Sequence, residues 1–217
     1  MKIGLIGYGK MGKAVEVVAL EKGHTVSIGI SFEVDVLIDF TEPSAVLETA
    51  EALRGKGIPW VVGTTGWSAR EVLPIAEEGN IPLLYGPNFS IGVAIYSRLA
   101  RLGAKMMAEE FSMRGVETHH SEKKDTPSGT ARKLMNEIDG LIFDSVREGD
   151  HFGIHELIFE SKEDQIELVH RAKNRKGFAK GAVVAAEWMI GKEGIYTFDA
   201  ILEEMWNQKS LQPLLPH

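Results

Sequence analysis

The sequence predicts an α/β chain in two parts, an N-terminal half built on a parallel sheet and a C-terminal half of α+β type with an open mixed sheet. Three observations predict this. Short apolar runs alternate with helical patterns from residue 3 to residue 85, the rhythm of a doubly wound parallel sheet. The first apolar run leads through Gly7-Tyr8-Gly9-Lys10-Met11-Gly12 straight into a helical pattern. After Ser90 the alternation stops, and a long helix, extended segments and another helix follow.

Taken in order, residues 3–6 read as a short buried strand and residues 11–22 as a helix. Gly-x-Gly-x-x-Gly between a strand and a helix is the setting in which such glycines cradle a dinucleotide. Gly7 permits the tight turn, Gly9 lets backbone approach a pyrophosphate, and Gly12 lets helix pack closely on strand. The first half is therefore expected to be a Rossmann-type domain. The second strand covers residues 25–30, and Ser31 stands at its end, where an acidic residue commonly holds the ribose hydroxyls. Ser31 does not repel a 2′-phosphate and Lys10 could reach one, so NADPH and NADH both stay open.

A third strand over residues 34–40 follows with no helix between, and a helix then runs from Pro43 to about Gly55. The strand at 58–62 ends in Gly63-Thr64-Thr65-Gly66. Small residues suit the carboxyl end of a strand, where ligands bind in open α/β sheets. Ser68 starts a helix to Gly79, and the strand at 81–85 ends in Gly86-Pro87-Asn88-Phe89-Ser90.

Beyond Ser90, residues 91–107 predict a long helix with Ile91, Ile95, Leu99, Leu102 and Met106 near helical spacing. Residues 114–118 are strand-like, 154–160 and 166–172 read as strands joined by a hairpin loop, and 178–190 as a helix. A turn at 191–194 precedes a short helix at 198–206. The expected organisation is a dinucleotide-binding domain over 1–89 completed by 195–207, a substrate-binding and oligomerisation domain over 90–194, and a tail over 208–217.

Composition is that of an ordinary soluble protein, 44% apolar and 25% charged. There are no cysteines, which excludes disulfides, thiolate metal sites and cysteine nucleophiles. A net charge of -7 argues against general nucleic-acid binding. The opening apolar run is too short for a signal-peptide core and no segment is long enough to span a membrane. A cytoplasmic protein is expected.

Chemistry concentrates in Glu117-Thr118-His119-His120-Ser121-Glu122-Lys123-Lys124-Asp125-Thr126-Pro127-Ser128-Gly129-Thr130. Side chains alternate on a strand, so His119 and His120 are expected on opposite faces. Thr126 reads as an N-cap with Pro127 at the first helical position. A helix start suits a carboxylate, and Gly129 offers no side chain to obstruct one. Adjacent histidines, a lysine pair and a capped helix each occur for structural reasons in many proteins; here they occur together. No metal is expected, because adjacent strand residues diverge and no third ligand has suitable spacing.

These residues resemble the 4-hydroxy-tetrahydrodipicolinate reductase family, formerly dihydrodipicolinate reductase, of bacterial lysine and diaminopimelate biosynthesis. The resemblance spans nearly the whole chain. Its most specific part is Glu117-x-His119-His120-x-x-Lys123-x-Asp125-x-Pro127-Ser128-Gly129-Thr130-Ala131. Gly63-Thr64-Thr65-Gly66, Asn88-Phe89-Ser90-x-Gly92, Arg147-Glu148-Gly149, Gly153-x-His155-Glu156 and Arg175-x-x-Phe178-Ala179-x-Gly181-Ala182 match in order.

The resemblance implies that His119 is the acid/base and Lys123 a proton donor, with His120, Ser128, Gly129 and Thr130 on the substrate carboxylates. It implies that Gly7, Tyr8, Gly9, Lys10, Met11, Gly12, Ser31, Gly63, Thr64, Thr65, Gly86, Pro87, Asn88 and Phe89 hold NADPH or NADH, with Arg175 and Phe178 on the nicotinamide side. Lys124 sits off the family's lysine position and reads as a solvated neighbour. The implied partners are a small dicarboxylate substrate and, in a homotetramer, further copies of the chain. Three departures bear on cofactor choice: a glycine loop one residue shorter than the family's common form, Lys10 in place of arginine, and Ser31 in place of the acidic ribose ligand. The alternatives are another two-domain NAD(P) oxidoreductase of a small amino or keto acid, such as an aspartate dehydrogenase-like protein, or a non-catalytic dinucleotide-binding regulator. Neither accounts for the histidine–lysine cluster.

Overall fold

Apolar strands buried on both faces require helices on both sides of a sheet, and the first half of the chain supplies them in alternation. The computed structural model describes residues 1–107 and 109–210. They fall into two units, residues 1–89 with 178 onward and residues 90–177.

The first unit opens with β1 (Lys2–Ile6), α1 (Lys10–Glu21), β2 (Thr25–Ile28), β3 (Val36–Asp39), α2 (Pro43–Leu53), β4 (Trp60–Val62), α3 (Ala69–Glu78) and β5 (Leu83–Tyr85). No helix separates β2 from β3, and both pair in parallel with β1. On one face of the sheet Leu37, Trp60, Val62 and Leu83 pack against Val46, Leu53, Val72 and Ile75 of α2 and α3. Ser68 stands at the N-cap of α3 as expected, although its side chain makes no capping hydrogen bond.

The second unit contains α4 (Ile91–Met107), β6 (Ser112–His119), α5 (Gly129–Glu137), β7 (Phe143–Arg147), β8 (Ile154–Glu160) and β9 (Gln165–Arg171). Its sheet has the order β7-β6-β8-β9, with β7 parallel to β6 and the other pairs antiparallel. This is the open mixed sheet expected from the sequence.

The structure refines one local reading and corrects another. The apolar residues counted on α4 do not form its buried face: Ile95, Leu99, Leu102 and Met106 are 44%, 46%, 54% and 74% exposed. The helix is buried instead through Val93, Tyr96, Ser97, Ala100 and Ala104. Small residues let it approach the sheet closely; a Cβ on Gly103 would stand 3.0 Å from the Phe159 ring. The correction concerns α5, which starts at Gly129 rather than at Pro127. Ser128 is its N-cap, and the Ser128 hydroxyl accepts from the Ala131 amide at 3.3 Å.

The chain then returns to the first unit through α6 (Lys176–Met189), β10 (Ile195–Thr197) and α7 (Phe198–Ser210). Residues 178–194, assigned with the second domain on sequence, group with the first unit. The sequence showed no strand at 195–197, yet β10 pairs in parallel with β5 and completes a six-stranded sheet of order β10-β5-β4-β3-β1-β2. Residues 208–210 lie within α7, and the rest of the expected tail, 211–217, lies outside the described residues.

Candidate active site

Strand register assembles the reactive groups of the second unit. On β6, Gly115, Glu117 and His119 alternate inward, as a pleated strand requires. Residues directly opposite across a ladder share a face. Glu117 is opposite Ser145 on β7 and His155 on β8, and His155 is opposite His170 on β9. His119 is opposite Arg147 on β7. Ser145, Glu117, His155 and His170 therefore form one polar row across all four strands, with Arg147 and His119 in the adjacent row. A one-residue slip in either ladder would turn the row to the other face.

Glu117 is the most enclosed member, fully buried. Its Oε1 accepts from the Ser128 amide at 2.9 Å, the Ser145 hydroxyl at 2.8 Å and the Arg147 guanidinium at 2.9 Å. Burial pushes this carboxyl up, but the hydrogen bonds from Ser128, Arg147 and Ser145 outweigh burial and bring it down to about 2. Glu117 is thus a buried anion at neutral pH. Its Oε2 has no hydrogen-bond partner among the described residues and lies 3.6 Å from His119 Nδ1 and 3.8 Å from His155 Nε2. The Arg147 guanidinium also donates to the Asp125 carbonyl at 2.7 Å, tying the loop after β6 to the same carboxylate.

His119 is 7% exposed. Burial lowers its pKa, Glu117 raises it, and the cations Lys123 and Arg147 lower it further. Lys123 Nζ is held by Asp125 Oδ1 at 2.5 Å, with a side chain 23% exposed. Asp125 thereby fixes the direction of the Lys123 side chain. His120 is half-buried, and its backbone amide donates to the His151 carbonyl at 3.0 Å. Lys124 is exposed.

The substrate-side expectations at the helix start divide. Ser128 is buried, and its hydroxyl is engaged in the cap and with His155 Nε2 at 3.2 Å. Gly129 is exposed and nothing stands within 4 Å of where its Cβ would be, which leaves the first turn of α5 open to a carboxylate beside the half-buried Thr130. Arg175 lies over the Phe152 ring at 5.1 Å.

Sequence reasoning gave no role to Glu117, Ser145, Arg147 or His155. The spacing of Glu117 two residues before His119 was a visible signal. The other three come from distant strands. A divalent cation is poorly suited to the donor atoms of Glu117, His119 and His155, which lie within 4.8 Å of one another. The Arg147 guanidinium already neutralises the only carboxylate among them, and Lys123 adds a second positive charge nearby.

In the first unit, the residues of the glycine loop fit a dinucleotide. Gly7 has φ +83°, and a Cβ there would stand 2.4 Å from the Phe40 carbonyl oxygen. A Cβ on Gly12 would lie 2.2 Å from the Gly7 oxygen, whereas Gly9, the N-cap of α1, has nothing within 4 Å. Side chains are thus excluded where helix meets strand, and space is left where a pyrophosphate would approach. No acidic residue occupies the first turn of α1, which suits an anion.

The neighbouring strand ends are held from behind. Thr64 donates to Asp39 Oδ1 at 3.1 Å, and Asp39 is fully buried, which raises its pKa. A Cβ on Gly63 would overlap the Phe40 ring at 2.1 Å. Phe89 is buried against Phe198, with ring centroids 4.6 Å apart, and a Cβ on Gly181 of α6 would stand 1.8 Å from the Phe89 carbonyl oxygen. Lys10 and Tyr8 are exposed, Ser31 and Phe178 half-buried, and Thr65 exposed.

One pH dependence follows directly. Burial, with His119 as a second cause, lowers His155 from 6.5 to about 3. The unfolded chain therefore binds a proton at this residue between about pH 6.5 and pH 3 that the folded chain does not, so stability rises with pH across that window. This stability is fully present above the unfolded value and is lost as pH falls toward the folded one. His155→Gln is expected to flatten the dependence of the unfolding free energy, measured by urea denaturation, on pH between 6.5 and 3 by a few kcal/mol, at about 1.4 kcal/mol per unit. An unchanged slope would assign the acid sensitivity to other groups.

Among the described residues no helix is long and apolar enough to cross a membrane. A family model described as dihydrodipicolinate reductase, C-terminus, matches residues 92–202, and one described as dihydrodipicolinate reductase, N-terminus, matches residues 28–89. A 4-hydroxy-tetrahydrodipicolinate reductase of Christiangramia forsetii is 35% identical, over 95% of this chain and 99% of its own. The fold is similar to that of a dipicolinate-bound dihydrodipicolinate reductase from Paenisporosarcina sp. TG-14, at a TM-score of 0.77 and 21% identity over 93% of this chain and 99% of that one. It is also similar to an amine dehydrogenase from Mycobacterium smegmatis, at a TM-score of 0.62 and 11% identity over 92% and 95%.

Proposed function

This chain belongs to the dihydrodipicolinate reductase family, and from that membership we propose how its own residues carry out the NAD(P)H-dependent reduction of 4-hydroxy-tetrahydrodipicolinate in lysine and diaminopimelate biosynthesis. The observation that carries the proposal is that His119 feels the charge of Lys123 and is linked, through Glu117 and Arg147, to Asp125 and Ser128 at the approach to the open first turn of α5.

The substrate is a ring with two carboxylates. Gly129 and Thr130 hold one carboxylate on the first turn of α5, and His120 holds the other. The 4-hydroxyl leaves as water to give an unsaturated ring, and a bound reduced nicotinamide would supply the hydride that adds at C4. The ring carbon beside it then takes a proton, and His119 with Lys123 supplies it. An imidazole titrates near neutrality and suits that transfer. Lys123, steered by Asp125, keeps the surroundings positive, which favours the dianionic substrate. Gly7, Gly9 and Gly12, with Lys10, Ser31, Gly63 to Thr65 and Gly86 to Phe89, form the nucleotide cradle, and Arg175 and Phe178 serve its nicotinamide side.

The same proposal extends to a cytoplasmic homotetramer assembled through the second unit's sheet. Its support is that β9 is an edge strand with Ile166 43% exposed. Light scattering giving a monomer would remove that part alone.

The deciding experiment is a coupled assay that makes the labile substrate in place and offers NADH and NADPH separately. Loss of absorbance at 340 nm (the reduced-nicotinamide band) with at least one of them is expected. Binding of both without turnover would instead favour a regulator.

A further inference from the structure

We propose that Glu117 is the positioning residue of His119: its Oε2 receives the Nδ1–H of the imidazole and leaves Nε2 as the atom that gives and takes the proton. The inference rests on the acid/base assignment of His119 made above. It comes from an asymmetry in how the carboxylate is held. Oε1 accepts from the Ser128 amide, the Ser145 hydroxyl and Arg147, all within 2.9 Å. Oε2 is buried and lacks a hydrogen-bond partner among the described residues. His119 Nδ1, 3.6 Å away, is likewise buried without one.

A carboxylate oxygen and a ring nitrogen facing each other in a buried site are each costly alone. At 3.6 Å they are just beyond hydrogen-bond range, so a small rotation of either side chain satisfies both. The competing imidazole is His155, whose Nε2 is 3.8 Å from Oε2 but already faces the Ser128 hydroxyl at 3.2 Å. Burial also keeps His155 neutral down to about pH 3. The proton facing Glu117 is therefore carried by His119.

The other side of the ring lies against a residue that has no side chain. A Cβ on Gly153 would stand 3.0 Å from His119 Nε2, and Gly153 has φ +137°, a conformation that side chains rarely adopt. One nitrogen thus faces a fixed anion and the other a surface with no side chain.

The charged and titratable groups around His119 are Glu117 on β6, Arg147 on β7, His155 on β8, and Lys123 and Asp125 in the loop after β6. Removing the Glu117 charge leaves Lys123 and Arg147 unbalanced beside the imidazole. In Glu117→Gln, kcat is expected to fall about 10²-fold, with the cofactor Kd unchanged. The limb of the pH–rate profile that reports protonated His119 is expected to move about 1–2 units to lower pH.

Glu117→Gln also leaves the half-buried Arg147 without its carboxylate and can fail to fold, so wild-type protein supplies a second measurement. In 15N-histidine spectra, with His119 assigned by its absence in His119→Gln, the neutral ring is expected to carry its proton on Nδ1. A proton on Nε2 would overturn the proposal. So would a folded Glu117→Gln with wild-type turnover and an unmoved pH limb. A purely structural role for Glu117 would lower thermal stability without changing the tautomer. If His119→Gln itself keeps wild-type turnover, it is the acid/base assignment that fails.

Discussion

Replacing His119 with glutamine is expected to lower kcat by about 10²–10⁴-fold, the range a positioned general acid contributes, while nucleotide affinity stays at its wild-type value. Glutamine retains much of the imidazole's bulk and its hydrogen-bonding capacity but cannot titrate, so the change isolates proton transfer. His119 is nearly buried among Glu117, Arg147 and His155. The glycine loop and the loops after β4 and β5, assigned to the nucleotide, belong to the other unit. Lys123→Ala is expected to act in the same direction, and the double variant to fall short of the product of the two because both groups serve one transfer. Steady-state kinetics and a fluorescence titration with reduced nucleotide make the comparison. Near wild-type turnover in either single variant would remove that residue from the chemistry.

The second large effect is expected at Gly181, a position with no chemistry of its own. Alanine in a helix interior is ordinarily better than glycine by about 1 kcal/mol. Here its Cβ would stand 1.8 Å from the Phe89 carbonyl oxygen and 3.0 Å from the Phe198 ring. Backbone cannot yield as a flexible side chain can, and such overpacking costs about 1–3 kcal/mol or more. The clash therefore outweighs the helix preference. Gly181→Ala is expected to lower Tm by about 3–10 °C and to weaken nucleotide binding by displacing the loop at 86–89. Gly177→Ala, in the same helix with nothing within 4 Å of its Cβ, is the control and should leave nucleotide affinity unchanged and Tm unchanged or slightly raised. Equal behaviour of the two variants would show that α6 moves away from Phe89 without loss.

Much of this was legible before any coordinates. The glycine loop, the β8–β9 hairpin and the limits of α4 follow from periodicity and turn residues, which are local. The face of α4 shows where local reasoning stops: the apolar residues at helical spacing are real, but the helix is buried largely through small residues that hydrophobic counting passes over. The start of α5 turned on a competition among capping residues, and Ser128 prevailed over Thr126 because its amide is also bound to Glu117 and its hydroxyl to His155. Two short strands escaped notice for a tertiary reason. Phe143–Arg147 lacks an apolar run because Ser145 and Arg147 serve the two adjacent polar rows, and Ile195–Thr197 has too few residues to show any period. The cluster around Glu117 was hidden for the same reason, since its members meet only when three strands pair in register.

The placement of β10 has a consequence for biosynthesis. The edge it covers, Leu83–Tyr85, leaves the ribosome roughly a hundred residues before Ile195–Thr197 does, a delay on the order of ten seconds at ordinary elongation rates. During that interval the nascent sheet ends in an uncovered apolar edge, the kind of template on which chains aggregate. The last strand to be made is thus the one that seals the oldest part of the molecule.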